Sequence, residues 1–466
     1  MNLFLFLIIG LSLGLMISFF WLSLQKYTTE KPTFRILTLL FAIWLVAAAF
    51  WGPEFFIVRI PGLFDITIER ILFAIILLVM ISGLIRGEVN LRRNITIEFF
   101  MFLFSITCII SMMRFGFISP LPELFPNPWF VFITGYLFPF VAFVFAKNYL
   151  TDERDQLIIF HILFFLGSYL AIIAFFEFFN LRQFVFPRYI NDPKFWLHLE
   201  RARGPFLNGA LNGVAMTIGF VCGVHLLPRK QGFTKLFYLV LLSLFFPAIF
   251  FTQTRSSYLG FLIALILLLV FYRTTFPKWS VFSLPLAMAM IFIIFVSPRL
   301  LSTERRAGGI FQLEEVEIRL QLIKRSIEIF TDRPLTGVGL GQLLPVSAKE
   351  YRGRGTVAEK AEEQTQHFHL LGMLVEIGLL GLVTYLLIIT QIFRRLYQMI
   401  RVIPETGFLG PNFLLIIFAV WCVYLNNNLF VEPSYFVYIN SVPFMLGGMA
   451  DGLYTQYMVG SDKAGI

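Results

Sequence analysis

Long apolar runs alternate with short polar breaks along nearly the whole chain. The runs are about 18 to 23 residues long, enough for each to cross a hydrocarbon core of about 30 Å as a helix. About thirteen of them begin near Asn2, Phe34, Glu69, Thr96, Trp129, Leu157, Ala210, Lys235, Ser256, Trp279, Phe368, Pro411 and Ser434. The last two are interrupted by the polar stretch "LNNNLFVEPSY". The opening "MNLFLFLIIGLSLG" lacks a basic leader region and reads as the first span, not as a cleaved signal. This pattern predicts an all-α polytopic membrane protein with about 12 to 13 transmembrane helices. Residues 1–466 are expected to form a single integral membrane domain.

The polar breaks divide by charge. "QKYTTEKPTFR", "IRGEVNLRRN", "PRKQGFTK", "YRTTFPK" and "RRLYQMIR" are dense in Lys and Arg and fall on alternate sides of the spans, so they form one set of cytoplasmic loops. The intervening loops then face outward, with the amino terminus outside and the carboxyl terminus inside. The longest outward loop, residues 297–367, is the one sizeable polar insertion. Within it, "LEEVEIRLQLIKRSIEIF" sets Leu313, Val316, Leu320, Ile323, Ile327 and Phe330 at helical spacing, opposite Glu314, Glu317, Lys324, Arg325 and Glu328. Such an amphipathic helix fits a position flat on the outer lipid surface. "TDRPLTGVGLGQ" follows as a proline- and glycine-rich turn.

Composition agrees with lipid as the main solvent: 58% of the residues are hydrophobic and only 14% charged. The formal charge of +9 belongs to the inward loops, and no soluble basic domain is present to bind nucleic acid. Cys108, Cys222 and Cys422 all lie in apolar spans and read as small buried hydrophobes.

Candidate chemistry gathers on the outward side. Arg201 and Arg203 precede the seventh span in "RARGPFLNGALNG", and Arg255 sits at the turn "FTQTRSSYLG". Arg319 lies on the amphipathic helix, and His367 stands at the mouth of the eleventh span. Arginines at helix ends often only snorkel to the interface. Several on the outward side run against the positive-inside bias, however, and an anion would account for them. Guanidinium forks match phosphate oxygens bidentately, and an imidazole exchanges protons near neutral pH. A lipid-linked pyrophosphate in the outer leaflet is a fitting anion. His369 is two residues from His367, so on a helix the two would face different ways, and only His367 is taken as the base. His161 and His225 lie within spans, and His198 lies in an outward loop. Glu376, inside the eleventh span, needs a partner there and is expected to orient its surroundings. The spacing of His367 and His369 does not suit two ligands on one helical face, so no metal site is expected. "GVGLG" follows a helix with no strand–helix unit and is not read as a dinucleotide loop.

Four motifs in order resemble the O-antigen ligase and O-antigen polymerase superfamily of bacterial membrane glycosyltransferases. "RLQLIKRSIEIFTDRPLTGVGLGQ" is similar to that family's arginine-led helix and D-x-P-L-x-G-x-G-x-G turn. "HFHLLGMLVEIGLLG" is similar to its H-N-x-x-L-x-x-x-x-E-x-G-L-L-G element, with Phe368 where asparagine is usual. "TQTRSSYLG" resembles S-R-x-x-x-x-G, and "RARGPFLNGALNG" resembles R-x-x-G-x-F-x-N-P-N, with Gly209 and Ala210 interrupting the last part. The resemblance runs from about Arg201 to Gly381. It implies a GT-C-type, metal-independent enzyme without a cofactor. The enzyme would take a glycan from an undecaprenyl-diphosphate donor to a glycan or lipid-core acceptor hydroxyl, at the outer face of the cytoplasmic (inner) membrane. Arg255 and Arg319 would bind the diphosphate and His367 would be the general base, with Arg203 and Glu376 auxiliary. Ligase and polymerase both fit. The competing reading is a membrane transporter of a small anion or of the lipid-linked glycan.

Overall fold

The computed structural model describes residues 32–58, 66–87, 94–119, 127–195, 199–273, 313–350, 368–405 and 407–463. The expected spans near Asn2 and Trp279, together with His198 and His367, lie outside the described residues. So does the 297–367 loop apart from 313–350.

Among the described residues the longer elements are helices, in the order α1 (Pro32–Phe50), α2 (Ile68–Ile85), α3 (Thr96–Phe115), α4 (Pro128–Tyr149), α5 (Glu153–Phe178), α6 (Gly209–Leu226), α7 (Gly232–Phe251), α8 (Arg255–Phe271), α9 (Leu313–Asp332), α10 (Leu343–Glu350), α11 (His369–Ile400), α12 (Pro411–Asn428) and α13 (Val437–Lys463). The described spans begin close to where the apolar pattern placed them; the largest difference is at α5, which starts at Glu153 and not near Leu157. Seven of these helices are long and apolar enough to cross a bilayer, and α8 and the Ile36–Phe50 part of α1 are shorter apolar helices. The protein is an all-α, multi-pass membrane protein.

Every residue of α6 is buried, which makes it the central helix of the bundle. Its neighbours α5, α7, α8 and α12 approach it closely because it carries small residues. A Cβ on Gly219 would stand 2.8 Å from the Cα of Gly167 in α5, so the two backbones touch at that level. Between apolar helices in lipid, such close packing replaces the hydrophobic drive that water would supply.

At one end of the bundle a buried ionic cluster ties four helices together. Lys147 of α4 lies 2.9 Å from Asp451 of α13, and Arg395 of α11 lies 3.2 Å from the other oxygen of the same carboxylate. Lys147 also pairs with Glu98 of α3, and Arg395 donates to Asn94 at 2.8 Å. At the opposite end α8 and α11 begin, with Arg255 and His369 as their first residues.

The amphipathic helix α9 presents two stripes where the spacing pattern predicted one. Leu320 and Ile327, from the predicted stripe, are exposed, in keeping with a lipid-facing surface. A second stripe of Ile318, Leu322, Arg325, Ser326 and Ile329 is buried. Ile329 packs with Val338, Leu343 and Val375 of the following turn and α11.

Candidate functional site

The loop before α6 is assembled around Arg203, whose side chain is fully buried. Its guanidinium donates to the carbonyls of Ile190 and Phe195. The backbone N–H groups of Arg203 and Gly204 donate to the Glu177 carboxylate at the end of α5, at 3.3 and 3.1 Å. Burial lowers the Arg203 pKa from its ordinary value, and Glu177 opposes that shift. The loop is joined to its neighbours by Ala202 N–H to the Phe251 carbonyl (3.0 Å) and Asn212 Nδ2 to the Ala202 carbonyl (3.1 Å). Asn208 caps α6, accepting from the N–H groups of Ala210 and Leu211. Arg203 therefore meets the site through the loop it holds.

Arg255 is the first residue of α8 and is exposed. The turn before it is fixed locally: Gln253 adopts a left-handed conformation, Thr252 Oγ1 donates to the Ile249 carbonyl at 2.7 Å, and Thr254 Oγ1 donates to the Thr252 carbonyl at 2.8 Å. Two neighbouring helices hold it as well. Ser257 Oγ donates toward the Gly209 and Ala210 carbonyls of α6, both at 3.3 Å, and Asn426 Nδ2 of α12 donates to the Ser256 carbonyl at 2.9 Å. The N-termini of α6 and α8 thus meet beside Arg255. The Arg255 side chain makes no hydrogen bond or ion pair among the described residues. Helix N-termini carry partial positive charge, so a cation there is electrostatically uncomfortable until an anion joins it.

Two motifs, the glycine turn after α9 and the Glu-x-Gly of α11, are partners in one structure. Gly378 has φ 70° and ψ −171°, which breaks α11. The carbonyls of Val375 and Glu376 lose their helical donors at this break and accept instead from Val338 N–H (2.9 Å) and Gly339 N–H (2.8 Å). The freed N–H groups of Leu379 and Leu380 donate to the carbonyls of Pro334 (2.9 Å) and Leu335 (3.4 Å). A broken helix at membrane depth is tolerated where protein satisfies its backbone in this way. The Glu376 carboxylate then accepts from Leu343 N–H at 3.3 Å, at the start of α10. Its partner is backbone, and its effect is to hold turn, α10 and α11 together. Arg319 lies exposed on α9, two turns of helix before buried Ser326.

Residues 238–386 match the family model for O-antigen ligase. The match bears out the resemblance to the O-antigen ligase and polymerase superfamily and supports a membrane glycosyltransferase-type activity on glycan and lipid-linked substrates. The matched segment runs from α7 into α11 and includes Arg255, Arg319, His367, Glu376 and the glycine turn. No curated protein matches the chain.

Within the matched segment His369, the first residue of α11, is buried. Its Nδ1–H donates to the Glu432 carboxylate, 2.8 Å from Oε1 and 3.0 Å from Oε2. A carboxylate only accepts, which places the proton on Nδ1. The Tyr136 ring lies nearly parallel to the imidazole at 6.2 Å, and Tyr385 meets it edge-on at 6.0 Å. Tyr136 falls in a π-helical turn, Ile133–Leu137, within α4. Phe368 is extended and occupies the N-cap position of α11 without a side-chain capping bond. Glu432 and Asn426 were missed by spacing arguments. Their one signal was the cluster of polar residues interrupting an apolar span, which demands partners.

Proposed function

We propose that the protein transfers a glycan from an undecaprenyl-diphosphate-linked donor to an acceptor hydroxyl, as an O-antigen ligase or polysaccharide polymerase, at the external face of the cytoplasmic membrane. The observation that carries this reading is the Arg255 turn. Its backbone is held by α6 and α12, while its guanidinium is exposed beside two helix N-termini with no partner among the described residues. That combination suits a diphosphate, which two helix dipoles and a forked cation would bind together.

In this reading Arg255 and Arg319 grip the diphosphate and stabilise the charge that grows on it as the glycosidic C–O bond breaks, in the role a divalent cation takes elsewhere. His367 accepts the proton of the acceptor hydroxyl as that oxygen attacks the anomeric carbon. The bonding electron pair leaves with the diphosphate, and attack from the opposite face inverts the sugar. Arg203 and Glu376 act at one remove, the first by holding the loop ahead of α6 and the second by fastening the glycine turn to α11.

The test is transfer from a lipid-linked oligosaccharide in proteoliposomes. His367→Ala should abolish transfer while the protein still inserts and unfolds at the parental temperature. Transfer at parental rate by that variant would remove His367 from the mechanism. Counterflow of labelled phosphate without any glycan transfer would instead establish a transporter.

A further inference from the structure

The segment from Asn426 to Ser434 closes a circuit that the O-antigen ligase match, ending at residue 386, does not contain. At one end, Asn426 donates to the Ser256 carbonyl, immediately beside Arg255. At the other, Glu432 holds His369, the first residue of α11 and two positions after His367 in the sequence. The chain between is folded back on itself, with Phe430 N–H and Val431 N–H both donating to the Asn427 carbonyl at 2.9 Å.

Glu432 is fixed in turn. Ser434 donates to Oε1 through its N–H, at 3.1 Å, and also through its hydroxyl. The Ser434 carbonyl accepts from Thr134 Oγ1 at 2.9 Å, which anchors the segment to the π-helical turn that carries Tyr136. Asn440 donates to the Pro433 carbonyl at 2.7 Å and accepts from Tyr424 at 3.0 Å. The imidazole is therefore set by a carboxylate, and the carboxylate by two donors of Ser434, whose backbone is anchored in turn. A packing role alone would be met more cheaply by apolar side chains of the same volume, since a desolvated ionisable pair is seldom a net gain in stability.

We propose that His369 and Glu432 form a positioning dyad for glycan transfer. The carboxylate fixes the imidazole, the imidazole fixes the first residue of α11, and the Asn426–Ser434 segment thereby references the start of α11 to the Arg255 turn. This inference rests on the transferase reading of the same site. It adds that the start of α11 and the Arg255 turn are both referenced to one segment near the carboxyl terminus. Reacting groups need ångström-scale placement, and a displacement of about 1 Å lowers rate by about a hundredfold.

The experiment measures kcat and donor KM for the full-length protein in proteoliposomes, with a lipid-linked oligosaccharide as donor. Glu432→Gln keeps volume and an accepting oxygen but removes the charge. It should lower kcat by about tenfold or more while leaving donor KM within about twofold. Glu432→Asp restores the charge and should recover part of the loss. His369→Gln combined with Glu432→Gln should lose little more than either change alone, because the two residues act as one unit. A folded Glu432→Gln protein with parental kcat overturns the dyad. If that variant does not fold, Glu432→Asp decides: a several-fold lower kcat at unchanged KM supports the dyad, and parental kcat overturns it. A parent protein that transfers no glycan at all sinks the transferase reading itself, an outcome distinct from a parent that transfers and is indifferent to residue 432.

Discussion

Substituting Gly378 by alanine tests whether the glycine turn and the break in α11 are a single unit. At φ 70° an alanine costs about 1–2 kcal/mol in backbone conformation alone. The added Cβ would also stand 2.3 Å from the Leu335 oxygen, 2.4 Å from its carbonyl carbon and 2.6 Å from Thr336 N. These are backbone atoms with no rotamer to move away, so either the turn lifts or the helix straightens. If α11 straightens, Val375 and Glu376 regain their own helical donors, and the four hydrogen bonds to Pro334, Leu335, Val338 and Gly339 are replaced by two. At about 1 kcal/mol net per bond, that difference is about 2 kcal/mol. The rest of the loss comes from the turn contacts around Val338 and Ile329. A total of about 2–4 kcal/mol follows. The assay is thermal unfolding in detergent together with limited proteolysis across residues 333–342. Gly378→Ala should unfold at a lower temperature and be cut faster in that stretch, and its transfer activity should fall because Glu376 no longer reaches Leu343. An unchanged unfolding temperature with an unchanged cleavage rate would refute the coupling of the two motifs.

Four other substitutions are predicted. Arg255→Lys and Arg319→Lys should each lower transfer by about tenfold or more, because a point charge does not reproduce a bidentate fork; parental rates in both would show that fork geometry is irrelevant. Arg203→Met should destabilise the protein by about 3 kcal/mol, since it leaves the Ile190 and Phe195 carbonyls without their donor and Glu177 without its counter-charge, and thermal unfolding would read that loss. Lys147→Met should cost about 3–5 kcal/mol by leaving Asp451 and Glu98 short of a buried partner at the end of the bundle remote from Arg255. A Lys147→Met protein as stable as the parent would mean that Arg395 alone neutralises the cluster.

The sequence by itself determined the membrane class, the described span positions and the family resemblance, three of whose four motifs fall in the matched residues 238–386. It could do so because crossing lipid demands unbroken runs of apolar residues. Helix α3 begins at Thr96, where the apolar pattern placed it. Only the tertiary structure decided what the polar exceptions are for. Glu376 is expected from the sequence to need a partner, but only the fold shows that the partner is Leu343 N–H and that the break at Gly378 pairs with the turn at 334–343. The buried stripe of α9 could not be chosen from spacing, because two stripes of the helix are apolar enough and the neighbouring surface selects one. "LNNNLFVEPSY" read as an interruption, yet Asn426 binds Ser256 across 170 residues and Glu432 binds His369 across 63. Periodicity records which way a side chain faces along its own element. It holds no record of which distant element will meet it, and in this bundle those meetings make the site.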